Sequence, residues 1–290
     1  MPNAGLRALV PPITGEPSPH GLLGGCIPVT TAGDPHAFNG TDMLSVSCDG
    51  ANPWQNCPTD TAGEFPWTNP AAKVFDRVGY CSFEPVTVYA GVECATFGIS
   101  YEEAGDRALN QLKLGEQTTL EEWFMTRWLA NATHTVDLTP GAGAVHIVNG
   151  IGILESWLGT NYGGQGVLHA PIGTASLLAM HRQVREGVTD ETCPETLAGN
   201  SVILGAGYAA NVGPATPPAV PAVAPAGEAW LYITPPMRIR RDDRTLIFNR
   251  EWQGINTSVN DRQALAETTF VPEVACCKAA AVRGSLSACC

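Results

Sequence analysis

Among the residue types that could do chemistry, cysteine stands out, because the chain of 290 residues contains ten of them. No two cysteines have the C-x-x-C spacing that is typical of zinc sites and redox motifs, so we do not predict a structural zinc site. Pairs such as Cys48 and Cys57 are spaced for a disulfide if the protein works outside cells. The alternative, that several cysteines are small buried apolar residues, stays open.

Three histidines, His146, His169 and His181, fall in one stretch of alternating short apolar runs and turns. They could converge on a metal ion, but hydrogen-bonded histidines of the core or surface explain them better. The spacings G-x-S-x-G, H-E-x-x-H and those of nucleotide-binding loops are absent. Gly205 and Gly207 follow an apolar run, but prolines arrive too soon for the helix of a phosphate-binding turn. We therefore predict no catalytic residue, no cofactor and no metal.

One basic cluster has two interpretations. Its members are Arg238, Arg240, Arg241 and Arg244. Because Asp242 and Asp243 stand among them, the cluster suits a solvated strand face on which the charges balance. The second interpretation is a strip of salt bridges between subunits.

The overall charge and composition exclude several classes of partner. The formal net charge is −12, with 16 basic against 28 acidic residues, so a broad nucleic-acid surface is not expected. The N-terminus has no basic and then apolar signal pattern, and no apolar run of about 18 residues occurs, so we predict neither export nor membrane insertion. With 31 glycines and 23 prolines but 44% hydrophobic residues, the chain suits long loops that pack on neighbours.

The element that has to position the rest is a long amphipathic helix predicted over residues 100–130. Ser100 and Glu103 have the spacing of a capping box, which sets the start of the helix. An apolar stripe follows, and we assign the acidic residues, Glu116 and Glu121 among them, to the opposite face. An unbroken helix of this length would span about 45 Å, and a glycine near its middle leaves two shorter helices as the alternative.

Two irregular segments precede the helix. Residues 1–30 are rich in proline and read as an extended arm. Residues 31–70 contain repeated turn signals together with Trp54, Phe65 and Trp67, which indicates a long protruding loop. Aromatic residues in such a loop mark either a contact surface or a small local core.

The remaining segments alternate between strands and helices. Residues 85–89 and 92–97 are predicted strands, separated by an Ala-Gly turn, that lead into the long helix. Beyond the helix, short strands and helices indicate a compact α/β subdomain, with one helix predicted over residues 174–185. A late strand contains Pro272, which predicts an edge position or a bend.

In this order of elements the chain resembles the major capsid protein of tailed phages of the Hong Kong 97 type, a fold shared with encapsulins. The stretches YGGQGVLHAP at 162–171 and ETTFVPE at 267–273 support the resemblance, which covers nearly the whole chain. It implies an α+β fold with five parts: an N-arm at 1–30, an extended E-loop at 31–80, P-domain strands and a spine helix at 81–135, an α/β A-domain at 136–235, and returning P-domain strands with a C-terminal tail at 236–290.

The resemblance implies a structural virion protein, not an enzyme, that self-assembles as pentamers and hexamers into the icosahedral head shell around a phage genome. Its location would be the virion capsid, after assembly in the host cytoplasm. Its partners would be further copies of itself, with portal or decoration proteins and no membrane or sequence-specific nucleic-acid site. Because the sequence has no N-terminal charged coiled segment that could act as a fused scaffold, assembly would use a separate scaffold protein or none. The alternatives are another virion component, an encapsulin-like compartment shell, or an enzyme or secreted binding protein with an unrecognised site.

The resemblance also implies where subunits are joined. Disulfides that strengthen a shell are expected from Cys48, Cys57, Cys289 and Cys290. Contacts between subunits are expected from Trp54, Phe65, Trp67, Arg238, Arg240, Arg241 and Arg244.

Overall fold

The computed structural model describes residues 12–45, 48, 73, 75, 77–95, 99–186, 193–248 and 261–287. The α-helices are α1 (Tyr101–Phe124), α2 (Ile147–Asn161) and α3 (Ala175–Met180). The strands are β1 (Val29–Thr31), β2 (Thr41–Leu44), β3 (Tyr80–Phe83), β4 (Val86–Ala95), β5 (Thr135–Asp137), β6 (Val145–His146), β7 (Val167–Pro171), β8 (Val184–Glu186), β9 (Pro194–Thr196), β10 (Ser201–Gly205), β11 (Glu228–Thr234), β12 (Met237–Arg241), β13 (Thr245–Phe248), β14 (Asp261–Val274) and β15 (Ala279–Ser285). The fold class is α+β, as expected.

Helix α1 confirms the predicted long helix. Its N-cap is Ser100, whose hydroxyl oxygen accepts the backbone N–H of Glu103 at 3.0 Å. The helix runs unbroken past Gly115 and continues as a π-helical turn over Met125–Leu129. The alternative of two shorter helices is therefore wrong. A single glycine costs a helix only about 1 kcal/mol, which the burial of the apolar face outweighs.

A five-stranded sheet is built around the long strand β14. Strand β4 pairs antiparallel along one edge of β14, while β12 and β13 follow each other along the opposite edge, and β1 adds parallel to β12. Helix α1 packs on one face of β4 and β14, against Val88 and Ala90. The predicted Ala-Gly turn is wrong, since Gly91 lies inside β4 opposite Leu265. Pairing with β14 outweighs the local turn signal.

Strand β14 can contain Pro272 because β4 no longer pairs with β14 at that position. Pro272 lies opposite Ile239 of β12, and the N–H of Ile239 points away from β14 to donate to Pro28 O at 2.9 Å. The nitrogen of Pro272 therefore faces the other edge of β14, where the last residue paired with β4 is Phe270. Because proline has no backbone N–H, it would break a hydrogen bond only where a strand pairs on that side. No described strand does so at Pro272, which fits the predicted edge position.

An eight-stranded sheet has the order β5-β15-β11-β7-β10-β9-β8, with β6 also paired to β15. One face packs against α2 and α3 through residues such as Leu168 and Leu231. The opposite face packs against the C-terminal end of α1 through residues such as Ile203 and Tyr232. Helix α1 thus joins the cores of the two sheets.

Helix α3 is shorter than predicted. It ends at Met180, and Arg182 beyond it has a left-handed φ of 53°. The following residues form β8, which pairs antiparallel with β9. A left-handed residue ends a helix because it turns the backbone away from the helical path, and the apolar spacing of the segment does not reveal it.

Candidate functional site

A two-stranded ribbon, β2 paired antiparallel with β3, forms a sheet of its own, separate from the other two in its hydrogen bonding. At its far end Leu44 pairs with Tyr80, and each of these side chains is 74% exposed. At its root Phe83 is buried. Paired apolar side chains that project into solvent are typical of a surface that contacts another molecule.

The aromatic residues predicted to make contacts from the intervening loop are Trp54, Phe65 and Trp67. All three lie outside the described residues, so their role stays a prediction. Phe75, which the structure does describe, is 88% exposed. It extends the apolar character of the ribbon beyond its paired strands.

Two disulfides join the ribbon to the connection between β14 and β15. Cys48, just beyond β2, is bonded to Cys277, and Cys81 in β3 is bonded to Cys276, each with a Cα–Cα distance of 5.7 Å. We call this pair of bonds the double disulfide. A third disulfide, Cys26 to Cys193, ties the N-terminal segment to the start of β9.

The disulfide partners differ from those that the sequence suggested. Cys48 forms a disulfide, but with Cys277 of its own chain. Cys57, Cys289 and Cys290 lie outside the described residues, so a role for them in joining subunits stays a prediction. The sequence signal that was missed is the adjacent pair Cys276 and Cys277, which can hold two other segments at one point.

The N-terminal segment 12–28 lies along α1 and is held by polar side chains of the helix. The backbone N–H of Leu22 donates to Glu121 Oε1 at 2.9 Å, and that of Leu23 donates to Gln117 Oε1 at 3.2 Å. Gln117 Nε2 in turn donates to Ser18 O at 2.9 Å. Since Leu22 and Ile27 are buried, this part of the segment belongs to the core.

Glu121 also fixes the junction between α1 and the eight-stranded sheet. Its Oε2 accepts the backbone N–H of Gly207 at 2.8 Å, at the start of a 3-10 turn. Burial raises the pKa of the Glu121 carboxyl, although the backbone N–H groups of Gly207, Leu22 and Ala206 act against this. The carboxyl is therefore a structural acceptor for two separate segments.

The predicted solvent-facing position of Glu116 and Glu121 is wrong, because both are buried. Glu121 lies four residues after Gln117 and three before the buried Phe124, so all three share a helix face. That spacing was a usable signal. The partners of the two carboxylates come from distant parts of the chain, which the sequence does not reveal.

Three of the four arginines form ion pairs within the chain, but not with the aspartates that stand among them. Arg240 Nε lies 2.8 Å from Glu273 Oε1, and Arg238 Nε contacts Oε2 of the same carboxylate. Arg244 Nη2 lies 2.6 Å from Glu116 Oε1. The expected balance by Asp242 and Asp243 is thus replaced by ion pairs to Glu273 and Glu116. The strip between subunits stays a prediction, and it includes Arg241, which pairs in the ladder with Phe270.

Glu273 is the centre of this charged cluster. Burial would raise the pKa of its carboxyl, but the Thr41 hydroxyl and the guanidinium groups of Arg238 and Arg240 outweigh burial and lower the pKa. Arg238 lies directly opposite Glu273 in the β12–β14 ladder. A cross-strand pair of this kind becomes visible only when the register is known.

The three histidines do not converge. His169 is fully buried, with Nδ1 2.9 Å from Tyr208 Oη and Nε2 3.0 Å from Thr234 Oγ1, and burial lowers its pKa to about 3. The rings of His146 and His181 lie 4.9 Å apart, on the face of the eight-stranded sheet that α2 and α3 cover. The described part of the chain places no three His, Cys, Asp or Glu side chains so that they could hold a metal ion. None of its helices is long and apolar enough to cross a membrane.

Comparison with known proteins gives structural matches only. No protein-family model and no curated protein matches the sequence. A chain from Microbacterium phage Oxtober96 aligns over 97% of this chain and 95% of its own length, with a TM-score of 0.51 and 11% identity. A chain described as the capsid of a native GTA particle aligns over 96% of each chain, with a TM-score of 0.49 and 13% identity. A capsid chain of the cyanophage P-SCSP1u aligns over 98% and 94%, with a TM-score of 0.47 and 7% identity.

The alignment with the Microbacterium phage chain includes almost every residue of both proteins. The likeness therefore concerns the overall fold and not one part of the chain. The chain adopts a fold that is found in a bacteriophage structure.

Proposed function

We propose that the protein is the major capsid protein of a tailed phage, and that its copies assemble into the icosahedral head shell that encloses the genome. The observation that carries the proposal is the full-length fold shared with the Microbacterium phage chain. The order of segments along the chain agrees with the same assignment.

In this proposal each described part takes one role in the shell. Residues 12–28 belong to the N-arm, the ribbon is the base of the E-loop, and α1 is the spine helix. The five-stranded sheet with α1 forms the P-domain, and the eight-stranded sheet forms the A-domain. Strand β15 belongs to the eight-stranded sheet, so we assign it to the A-domain and not to the P-domain strands expected over residues 236–290. The contacts of α1 with both sheets support this division, because they let one helix set the angle between two domains.

The exposed apolar surfaces suit a subunit that is completed by its neighbours. Leu44 and Tyr80 of the ribbon project into solvent, and so does Tyr89 on the uncovered face of the five-stranded sheet. Burying such side chains between copies contributes about 25 cal/mol per Å² of apolar area. The net charge of −12 keeps the shell from adhering to packaged DNA.

In this proposal the buried polar groups stabilise the fold and have no catalytic role. Glu121 holds two backbone segments, Glu273 holds two arginines, and His169 bridges Tyr208 and Thr234. These arrangements fix the chain in place, which is what a shell subunit requires.

The test is negative-stain microscopy with sedimentation of the protein, expressed alone and together with its candidate scaffold protein. We expect closed shells or curved sheets, or pentamers and hexamers. A double substitution at the far end of the ribbon, Leu44→Asp with Tyr80→Asp, should prevent assembly and leave the subunit folded. The control is Val220→Asp, at an exposed apolar residue in a different loop. A stable monomer in both preparations of the unaltered protein would contradict the proposal.

A further inference from the structure

Apart from the double disulfide, the ribbon is attached mainly at its root. There Phe83 is buried and the Thr41 hydroxyl acts on Glu273, while Leu44 and Tyr80 at the far end are exposed. The two bonds reach the two sides of the ribbon separately, through Cys48 and Cys81. A ribbon that is bonded covalently on both sides cannot rotate about its root.

The other ends of the two bonds are neighbours at a junction of the fold. Cys276 and Cys277 lie in the connection from β14 to β15, so one of the flanking strands belongs to the five-stranded sheet and the other to the eight-stranded sheet. The ribbon is thus fixed covalently where the chain passes from one sheet to the other. Sequence separations of 229 and 195 residues show that the bonds join parts that are otherwise distant along the chain.

We propose that the double disulfide is a redox-controlled clamp on the ribbon. With the four cysteines reduced, the ribbon can turn about its root, and when both pairs are oxidised its orientation is fixed. The inference rests on the proposed function in one respect: the ribbon is taken to be a contact surface between copies, so the clamp sets the rigidity of that contact.

The chemistry of the clamp requires an external oxidant. Each bond forms when two thiols lose two protons and two electrons, and a small-molecule disulfide such as oxidised glutathione accepts them and is cleaved to two thiols. A bacterial cytosol keeps cysteine thiols reduced, whereas the medium outside the cell allows disulfides to persist. The clamp would therefore close after subunits have assembled and the particles have left the cell.

The third disulfide provides a control inside the same chain. Cys26 and Cys193 join the N-terminal segment to the start of β9, and both lie outside the ribbon strands. Removing this bond with Cys26→Ser and Cys193→Ser also replaces two cysteines, but it leaves the clamp intact.

The experiment measures hydrogen–deuterium exchange of the backbone N–H groups of β2 and β3 by mass spectrometry, in the purified full-length subunit with and without reductant. Reduction should accelerate this exchange about tenfold, because exchange follows the population of open ribbon. The variant with Cys276→Ser and Cys277→Ser should exchange fast under both conditions. The variant without Cys26 and Cys193 should behave like the unaltered protein.

Disulfide mapping by mass spectrometry under non-reducing conditions should find Cys48 with Cys277 and Cys81 with Cys276. Other partners for Cys276 and Cys277, or equal exchange of the ribbon with and without reductant, would overturn the clamp. Circular dichroism shows whether the serine variants fold, and variants that remove one bond at a time provide the test if the double variant does not fold. Because the subunit is measured before assembly, a chain that forms no shells but shows the clamp would contradict only the proposed function.

Discussion

The two sheets of the protein differ in how many of their faces are covered. In the five-stranded sheet, β4 alternates between side chains that face α1, such as Val88, and exposed ones, such as Tyr89. In the eight-stranded sheet, the central strands β7 and β11 are buried at nearly every position, because helices cover one face and the end of α1 covers the other. Alternation thus marks a sheet with one free face, and unbroken apolar runs mark a sheet without one.

The same difference decides which polar groups each sheet contains. At the edge of the five-stranded sheet, Glu273 is paired with arginines that remain in contact with water. At the centre of the eight-stranded sheet, His169 is neutral and is bonded to two hydroxyl groups. A charge buried on all sides would cost several kcal/mol, so the doubly covered sheet contains neutral polar groups at its centre.

The largest expected difference in stability is between two leucine-to-alanine substitutions, one in each sheet. Leu231→Ala, in the centre of the eight-stranded sheet, should lower the free energy of unfolding of the subunit by about 2–5 kcal/mol, because it leaves a cavity. Leu265→Ala, on the free face of the five-stranded sheet, should cost less than about 1 kcal/mol. Urea denaturation of both variants checks the difference, and equal losses would show that the free face is covered.

A second pair of variants tests the junction between α1 and the eight-stranded sheet. At Gly207 an added Cβ would collide with the backbone of α1 at Thr118 and Glu122, so Gly207→Ala should cost about 2–3 kcal/mol of stability. Gly115→Ala is the control in the same region, since nothing lies within 4 Å of its added Cβ. It should stabilise the helix by about 0.5–1 kcal/mol. Thermal denaturation measures both variants. If Gly207→Ala loses no stability, the close approach of Gly207 to the backbone of α1 is contradicted.

The charged cluster of the five-stranded sheet predicts a loss of stability in acid. The pKa of Glu273 is lower in the folded protein than in the unfolded chain. Its contribution is therefore present at pH values above the unfolded pKa and is lost as the pH falls through the folded pKa. Glu273→Gln should cost about 1–2 kcal/mol near pH 7, and this difference should shrink toward pH 3. Denaturation of the unassembled subunit across this range is the measurement, and a constant difference would contradict the pairing.

The carboxyl of Glu121, at the junction between α1 and the eight-stranded sheet, predicts that stability depends on pH in the opposite direction. This is the smallest of the expected effects. Since the pKa of Glu121 is raised in the folded state, its contribution is fully present below the unfolded pKa and declines as the pH rises through the folded pKa. Glu121→Gln should remove this decline. It should also cost about 1 kcal/mol, because one backbone N–H loses its acceptor. Denaturation across the same pH range measures both the Glu273 and the Glu121 variants. If the stability difference from the unaltered protein changes with pH in the same direction for both, the opposite pKa shifts assigned to the two carboxyls are wrong.

Local signals in the sequence were sufficient for the elements that depend on near neighbours. The capping spacing of Ser100 and Glu103 predicted the start of α1, and the apolar runs at 85–89 and 92–97 predicted the strand residues of β4. The Ala-Gly turn in β4 and the length of α3 were predicted wrongly, because pairing with β14 and the backbone conformation of Arg182 decided them.

Contacts between distant segments were beyond the reach of the sequence. The partners of Glu116, Glu121 and Glu273 lie far from them along the chain, and their pairing depends on strand register and on how α1 packs. The adjacent cysteines Cys276 and Cys277 indicated a shared role, but not which residues they join. Such contacts follow from topology, which one sequence without relatives does not define.

The central claim is that this chain tiles a closed shell, and cryo-electron microscopy of particles assembled from it tests the claim most directly. The account predicts icosahedral particles in which each subunit has α1 between the two sheets and the apolar side chains of the ribbon, Leu44 and Tyr80, buried against a neighbouring copy. Particles without this chain in the shell, or a shell in which the ribbon stays in solvent, would contradict the account.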